Sequence, residues 1–380
     1  MNAQDSTKPQ EQTEPQGPLR PPWAMLAELT HSCPLHCPYC SNPVELTRRS
    51  QELSTGDWAR VMREAGGIGV VSAHLSGGEP LLRNDLTEIV AATAGAGIHS
   101  QLITSGFGLG ETRLKELIDA GLNSVQLSVQ DATAASNDLI AGARSFTAKE
   151  EAAALVRDAG IALGLNVVLH RRNLASLDAI IDLGVAWGVS RIELANTQFQ
   201  GWAMLNRNAL LPTREQLAEA EATVERRRTE LAGQVELIWV LPDYFTGVPK
   251  PCMGGWGAIS LTVAPDGTVL PCQAAGVMTD LDFPSARDHS LGWIWEHSPA
   301  FQAYRGTEWM TGPCVECPRR ELDFGGCRCQ AYVLTGDAAR TDPACHLSPD
   351  HALIDQAIGT ARTAANATDK EVEFVPRRPR

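Results

Sequence analysis

Residues 30–43 read THSCPLHCPYCSNP and set three cysteines, Cys33, Cys37 and Cys40, within one short loop. A disulfide uses two thiols, and a closed structural zinc site uses four ligands. Three soft sulfur donors suit an iron–sulfur cluster in which one iron keeps an open position. Pro34 and Pro38 each follow a cysteine and restrict the backbone, which helps hold the loop open around a bulky group. A zinc ion completed by a distant fourth ligand is the competing reading.

The loop follows the first of six short apolar runs, at 24–30, 70–78, 100–106, 124–131, 163–170 and 191–198. Between them lie amphipathic segments such as DWARVMREAGG, TRLKELIDAGL and AKEEAAALVRDAG, several of which stop at glycine. This alternation predicts parallel strands joined by right-handed helical crossovers. An open doubly wound sheet and a partial barrel both satisfy it. Polar or glycine-rich motifs fall where the strands end: the cysteine loop, SGGEP (76–80), TSG (104–106) and SVQD (128–131). Barrel enzymes assemble their sites at that rim.

A second region begins near residue 231. GAISLTVAPDGTVLPC (257–272) predicts a hairpin turning at Asp266 and Gly267, and LGWIWEHSPAFQAYRG predicts a helix. CVECPRRELDFGGCRC then packs cysteines densely into a stretch poor in regular elements, where bound metal would supply stability that a small core lacks. Residues 1–22 are polar and rich in Pro and Gln, predicting a disordered lead-in. Beyond residue 350, HALIDQAIGTARTAA predicts a helix and KEVEFVPRRPR a mobile tail. The expected division is a tail (1–22), a strand–helix region (23–230), a cysteine-rich region (231–350) and a helix with a tail (351–380).

Ten cysteines occur in a chain whose start carries no apolar run of the signal-peptide kind. Three lie in the first loop and seven between 252 and 345, a clustering that favours metal ligation over disulfides. A cytoplasmic protein is expected, with no membrane association, since no stretch is long and apolar enough to span a bilayer. The net charge of −13 argues against a nucleic-acid partner. ERRRTE (225–230) reads as the solvated side of a helix.

The C-x3-C-x2-C spacing, with Tyr39 before the last cysteine, resembles the signature of the radical S-adenosylmethionine (SAM) enzymes. That resemblance implies a partial (β/α)6 barrel and a [4Fe–4S] cluster on Cys33, Cys37 and Cys40 whose open iron chelates SAM. One-electron cleavage of SAM then yields a 5′-deoxyadenosyl radical that abstracts hydrogen. SGGEP matches the family's glycine-rich loop, with Gly77 and Gly78 permitting close backbone approach and Glu79 meeting the SAM ammonium. By the same carry-over, Ser105, Ser128, Gln130 and Asn166 are candidate SAM contacts.

The downstream cysteines resemble the SPASM extension of peptide-modifying radical SAM enzymes, which holds two auxiliary iron–sulfur clusters. The resemblance implies Cys252, Cys272, Cys327 and Cys329 as ligands of the first, of [2Fe–2S] or [4Fe–4S] type. Cys314, Cys317, Asp323 and Cys345 would hold the second. The usual pattern has a cysteine where this chain has Asp323, and here an additional Cys329 stands in GGCRC.

That departure, with CSNP (40–43), GWAMLNR (201–207), CMGGWG (252–257) and TGDAARTDPAC (335–345), is similar to the PqqA peptide cyclase family of pyrroloquinoline quinone biosynthesis. The likeness spans residues 23 to about 350. It implies a carbon–carbon bond made between a glutamate and a tyrosine of the precursor peptide PqqA, with PqqD as peptide chaperone and a flavodoxin-type electron donor. An auxiliary cluster would accept the electron lost as the ring regains aromaticity. Trp202, Asn206 and Arg207 are candidate substrate-facing residues. Phe199 and Gln200 stand where the family often has tyrosines. The rivals are another SPASM peptide modifier, making thioether links or maturing a sulfatase, and a non-catalytic redox-sensing metal protein. His31, His36 and His346 adjoin expected ligands and receive no role.

Overall fold

The computed structural model describes residues 19–366 and 374–378. All but the last four positions of the expected lead-in lie outside the described residues. Of these four, Arg20 is tied to the fold, its carbonyl accepting from Trp295 Nε1 at 3.1 Å.

The six apolar runs form strands β1 (Ala24–Glu28), β2 (Ser72–Ser76), β3 (His99–Thr104), β4 (Ser124–Val129), β5 (Ala162–Leu169) and β6 (Arg191–Asn196). All pair in parallel and in sequence order, as a right-handed strand–helix repeat requires. Alternation along each strand sorts the residues. Leu163, Leu165, Val167 and Leu169 of β5 are buried beneath the surrounding helices. Their neighbours Asn166 and Val168 face inward, as do Ser76, Ile103, Ser128 and Ala195 on the other strands, and these six share one cavity.

The helices start where local chemistry directs. Ser54 and Asp57 form a reciprocal capping box at the start of Thr55–Gly67, each satisfying a backbone amide that the first turn leaves unpaired. Trp58, Val61, Met62 and Ala65 then bury one stripe of that helix. Helix Arg214–Glu230 begins with Thr213 and Gln216 in the same motif.

The expected boundary near residue 230 does not divide the sheet. β7 (Glu236–Trp239) adds a seventh parallel strand beside β6. β8 (Ser260–Val263) lies parallel to β1 on the opposite edge and turns into β9 (Val269–Leu270), giving a nine-stranded sheet in the order β7-β6-β5-β4-β3-β2-β1-β8-β9. The hairpin read at 257–272 is therefore present, and it extends the barrel sheet. One apolar core includes Met25 and Leu165 together with Leu261, Val263, Leu291 and Phe301. A smaller cluster around Trp256, Leu270, Ala275, Met278 and Cys329 lies under the cysteine-rich region. Among the described residues no helix is long and apolar enough to cross a membrane.

Candidate active site

At the C-terminal rim of β1–β6 lies a cavity of about 320 Å³ lined by Cys33, Cys37 and Cys40. Gly77, Gly78, Ser105, Ser128, Gln130 and Asn166 form further parts of its wall. All but one of the candidate SAM contacts implied by the resemblance therefore lie at one space. Glu79 is the exception. It is fully buried behind the wall, where its carboxylate accepts from Thr104 Oγ1 (2.6 Å), Ser105 N (2.8 Å), Ser105 Oγ (2.5 Å) and Leu81 N (3.1 Å). Burial raises its pKa against those hydrogen bonds. The side chain sets the Ser105 loop and does not line the cavity.

The two glycines serve contact between loops. Gly78 N donates to Thr30 O at 2.5 Å and Glu79 N to Ser32 O at 2.8 Å, so the glycine loop lies backbone to backbone on the entry of the cysteine loop. A Cβ at Gly77 would sit 2.3 Å from Thr30 O, and that residue also has φ +130°, a conformation that favours glycine.

Among the described residues no imidazole or carboxylate lines this cavity; sulfur, hydroxyl and amide groups do, with the guanidinium of Arg377. Burial pushes the Cys33 thiol up to about 11 and Cys37 to about 12, so neither ionises at neutral pH without a compensating cation. Gln130 donates from Nε2 to Tyr39 Oη at 2.9 Å while its buried Oε1 has no hydrogen-bond partner among the described residues. Sulfur donors that need a metal and an orphaned amide oxygen fit an iron–sulfur cluster with a polar ligand beside it. Among the described residues, no group of three or more His, Cys, Asp or Glu is arranged to hold a lone metal ion.

Two buried groups near the cavity were not read from the sequence. Lys149 is fully buried and donates to Ser105 O (3.2 Å) and Ser128 O (2.9 Å), tying the ends of β3 and β4 together. Its signal was present: it falls on the buried stripe of helix Phe146–Asp158 with Phe146, Ala152, Ala153 and Val156. His170 stands with its ring 5.5 Å from that of Tyr39. Its Nδ1 accepts from Arg172 N at 3.2 Å and its buried Nε2 has no hydrogen-bond partner among the described residues.

Burial, aided by the charge of Arg172, lowers the His170 pKa to about 3. The unfolded chain therefore binds a proton near pH 6.5 that the folded chain refuses, and stability is lost as pH falls from about 6.5 towards 3. One pH unit below the unfolded value this costs about 1.4 kcal/mol, or about 2 °C in Tm for a chain of this length. Melting curves of His170→Gln should accordingly fall less than wild type between pH 7.5 and 5.5. Parallel curves would show that His170 is not the titrating group.

Further along the chain the thiols assemble as two groups. Cys252 and Cys327, Cys327 and Cys329, and Cys329 and Cys272 lie within thiol hydrogen-bonding reach in the apolar setting of the smaller cluster. Cys314, Cys317, Asp323 and Cys345 surround a separate small cavity. Asp323 is buried, its Oδ1 accepting from Gly325 N at 3.0 Å and its Oδ2 lying 3.4 Å from Arg319 Nε. Between the groups sits Arg328, 1% exposed, donating to the carbonyls of Ala338 (2.7 Å) and Arg340 (2.8 Å). The Cys327 contact raises the Cys252 thiol and burial raises Cys314, while the Arg328 charge opposes both shifts; at Cys327 it acts in the same direction as the Cys252 and Cys329 contacts that hold that thiol well below its usual range. A buried guanidinium whose neighbours are carbonyls and thiols fits anionic sulfur clusters on either side.

Of the three candidate substrate residues, Arg207 lines a second cavity of about 310 Å³. Trp202 is packed in the core and lines neither this cavity nor the first. Asn206 is 4% exposed and engaged with backbone, donating to Pro38 O (2.9 Å), Trp202 O (3.0 Å) and Val375 O (2.9 Å). The second cavity shares Asn196 and Gln198 with the first and has Cys272 and Cys327 on its far wall. Asn196 and Gln198, at and just past the end of β6, were legible as strand-end polar residues and were not singled out.

Residues 27–184 match the model of the Radical SAM superfamily, and residues 252–318 match SPASM, an iron–sulfur cluster-binding domain. A PqqA peptide cyclase of Methylocella silvestris is 53% identical over 351 residues, 92% of either chain. One from Streptomyces rochei is 52% identical, covering 94% of this chain and 97% of its own. The chain belongs to the PqqA peptide cyclase family. Like other members of that family it is a radical SAM enzyme, using SAM and iron–sulfur clusters. Its fold is shared with SuiB of Streptococcus suis bound to SAM, at 18% identity and a TM-score of 0.71 over 86% of this chain and 77% of that one. It is shared also with anSMEcpe with bound AdoMet, at 16% identity and 0.62 over 91% and 97%. In this PqqA peptide cyclase family member the superfamily match ends before β6 and the SPASM match before Asp323, so both models stop short of residues the geometry uses.

Proposed function

We propose that this enzyme joins a glutamate and a tyrosine within the precursor peptide PqqA, forming a carbon–carbon bond between the glutamate γ-carbon and the ring carbon beside the tyrosine hydroxyl. The glutamate loses one hydrogen atom, and the ring loses a proton and an electron as aromaticity returns. A [4Fe–4S] cluster on Cys33, Cys37 and Cys40, with SAM on its open iron, supplies the hydrogen-abstracting radical. Ser105, Ser128, Gln130 and Asn166 present hydroxyls and amides to the polar parts of SAM, and Ile103, Val168 and Ala195 give the reacting carbon an apolar wall that excludes water.

What supports the peptide reading is the junction of two cavities at Asn196 and Gln198. A peptide occupying both would place its reacting carbon near the three-cysteine loop and its flank near Cys272 and Cys327. Cys252, Cys272, Cys327 and Cys329 are the ligands of one auxiliary cluster, and Cys314, Cys317, Asp323 and Cys345 of the other. Arg207, on the wall of the second cavity, contacts the peptide. PqqD delivers the peptide, a flavodoxin-type donor the electron, and the enzyme works in the cytoplasm.

Mass spectrometry of PqqA incubated anaerobically with reconstituted enzyme, SAM, reductant and PqqD tests this. A peptide lighter by two hydrogens, with no fragmentation between its glutamate and tyrosine, is the expected product. Released deoxyadenosine with unchanged peptide would exclude the assigned substrate.

A further inference from the structure

KEVEFVPRRPR was expected to trail away as a mobile tail, yet residues 374–378 form a strap across the cysteine loop. Val375 N donates to Asn206 Oδ1 at 2.8 Å, and Asn206 Nδ2 donates both to Val375 O and to Pro38 O in that loop. The Arg377 carbonyl lies 2.8 Å from His36 Nδ1, and Arg377 N donates to His36 O at 3.4 Å. The guanidinium of Arg172 stands 5.3 Å from the centre of the Phe374 ring.

The strap carries one charged side chain inward. Arg377 is 2% exposed and lines the same cavity as Cys33, Cys37 and Cys40. Its Nη2 donates to the His31 carbonyl, while Nε and Nη1 are buried without a hydrogen-bond partner among the described residues. A buried guanidinium in that state is costly unless an anion meets it. Its side chain lies within hydrogen-bonding reach of the Cys40 thiol.

We propose that Arg377 is a cofactor-binding residue, carried by the C-terminal strap to the Cys40 side of the cavity, where its two unpaired donors hold an anionic group of the loaded site. That group is either the sulfur shell of the cluster or the carboxylate of SAM. The inference rests on the three cysteines holding a SAM-binding cluster, and it is independent of which peptide is modified. A guanidinium against cluster sulfur favours the electron-rich, reduced state and raises the potential. A fork against a carboxylate raises SAM affinity through paired, charge-assisted bonds.

The test compares wild type, Arg377→Gln and Arg377→Lys after anaerobic reconstitution, without peptide. Three readouts are taken: iron per chain, SAM affinity by equilibrium dialysis, and potentiometry of the one EPR signal that changes on adding SAM. Cluster contact predicts that Arg377→Gln lowers the ratio of reduced to oxidised cluster about tenfold at a fixed potential, equivalent to about 59 mV for one electron. Carboxylate contact predicts an unchanged potential and about tenfold weaker SAM binding. The lysine variant, which keeps the charge and loses the fork, should recover most of the first effect and little of the second. Iron lost from the glutamine variant and kept by the lysine variant would show that the charge is needed to assemble the site, in support. Unchanged potential and SAM affinity in Arg377→Gln, or iron lost equally from both folded variants, would overturn the proposal. A wild-type enzyme with no SAM-dependent signal would instead refute the radical SAM reading of the cysteines.

Discussion

Gly78→Ala is expected to give a chain that folds its barrel and fails to load its first cluster. A Cβ there would lie 2.3 Å from Ser32 O and 2.7 Å from His31 O, far inside contact distance. Neither neighbour can yield cheaply, because both are backbone and the loops are pinned together by the bonds from Gly78 N and Glu79 N. The cysteine loop must move away, and the cost is on the order of 4 kcal/mol, the range reserved for overpacked or strained sites. Gly95→Ala is the control, since nothing lies within 4 Å of its added carbon. Inside helix Leu86–Gly95 it should be neutral or stabilise by up to about 1 kcal/mol. Iron analysis and circular dichroism of the two variants decide the matter. Full iron in Gly78→Ala would mean that the two loops separate without consequence.

Arg328→Met should be as damaging in the other half of the molecule. Beyond its bonds to Ala338 and Arg340, the guanidinium donates to the carbonyls of Gly326 and Gly325 and lies 4.7 Å from the centre of the Trp309 ring. Removing it takes a donor from four carbonyls in a largely buried setting, at about 1–3 kcal/mol for each one left unpaired, and takes away a cation that acts on both thiol groups. A loss of about 4 kcal/mol or more is expected, with the iron deficit confined to the auxiliary clusters while the SAM-dependent EPR signal persists. Full iron content with an unchanged melting curve would show that the charge is dispensable. Arg328→Lys should rescue only partly, because an ammonium has three donors on one point and cannot reach carbonyls spread around a planar fork.

The parts legible in the sequence were those fixed by local rules. Six strands fell where the apolar runs lay because parallel strands covered by helices must be apolar on their outer face. The place of the site was legible because strand ends at the C-terminal rim of such a sheet converge, while the choice of Ser105, Ser128, Gln130 and Asn166 came from family resemblance. The grouping of eight distant positions into two sets of four came from family resemblance, since no local rule ties Cys252 to Cys327. Glu79 was misplaced for a physical reason: a carboxylate beside a ligand site can act through hydrogen bonds to the wall as readily as by touching the ligand. Asn206 and Trp202 were misread because polarity and size alone do not reveal which way a short helix presents them. Arg377 left no trace at all, because its segment is held by side chains from 172 and 206 and by the side chain and backbone of 36, partners that no window of sequence contains.

The pairing of β8 with β1 bears on how the molecule is made. β1, the first strand among the described residues, has β2 for a neighbour on one side, and its other edge pairs only with residues 260–263, which are synthesised much later. Throughout that interval the growing chain carries an open, apolar parallel edge, the kind of surface that recruits other strands. Closing it requires a contact between residues more than two hundred positions apart, among the slowest classes of event in folding. The cysteine-rich region is thus more than an appended module: part of it is the seal on the sheet that precedes it.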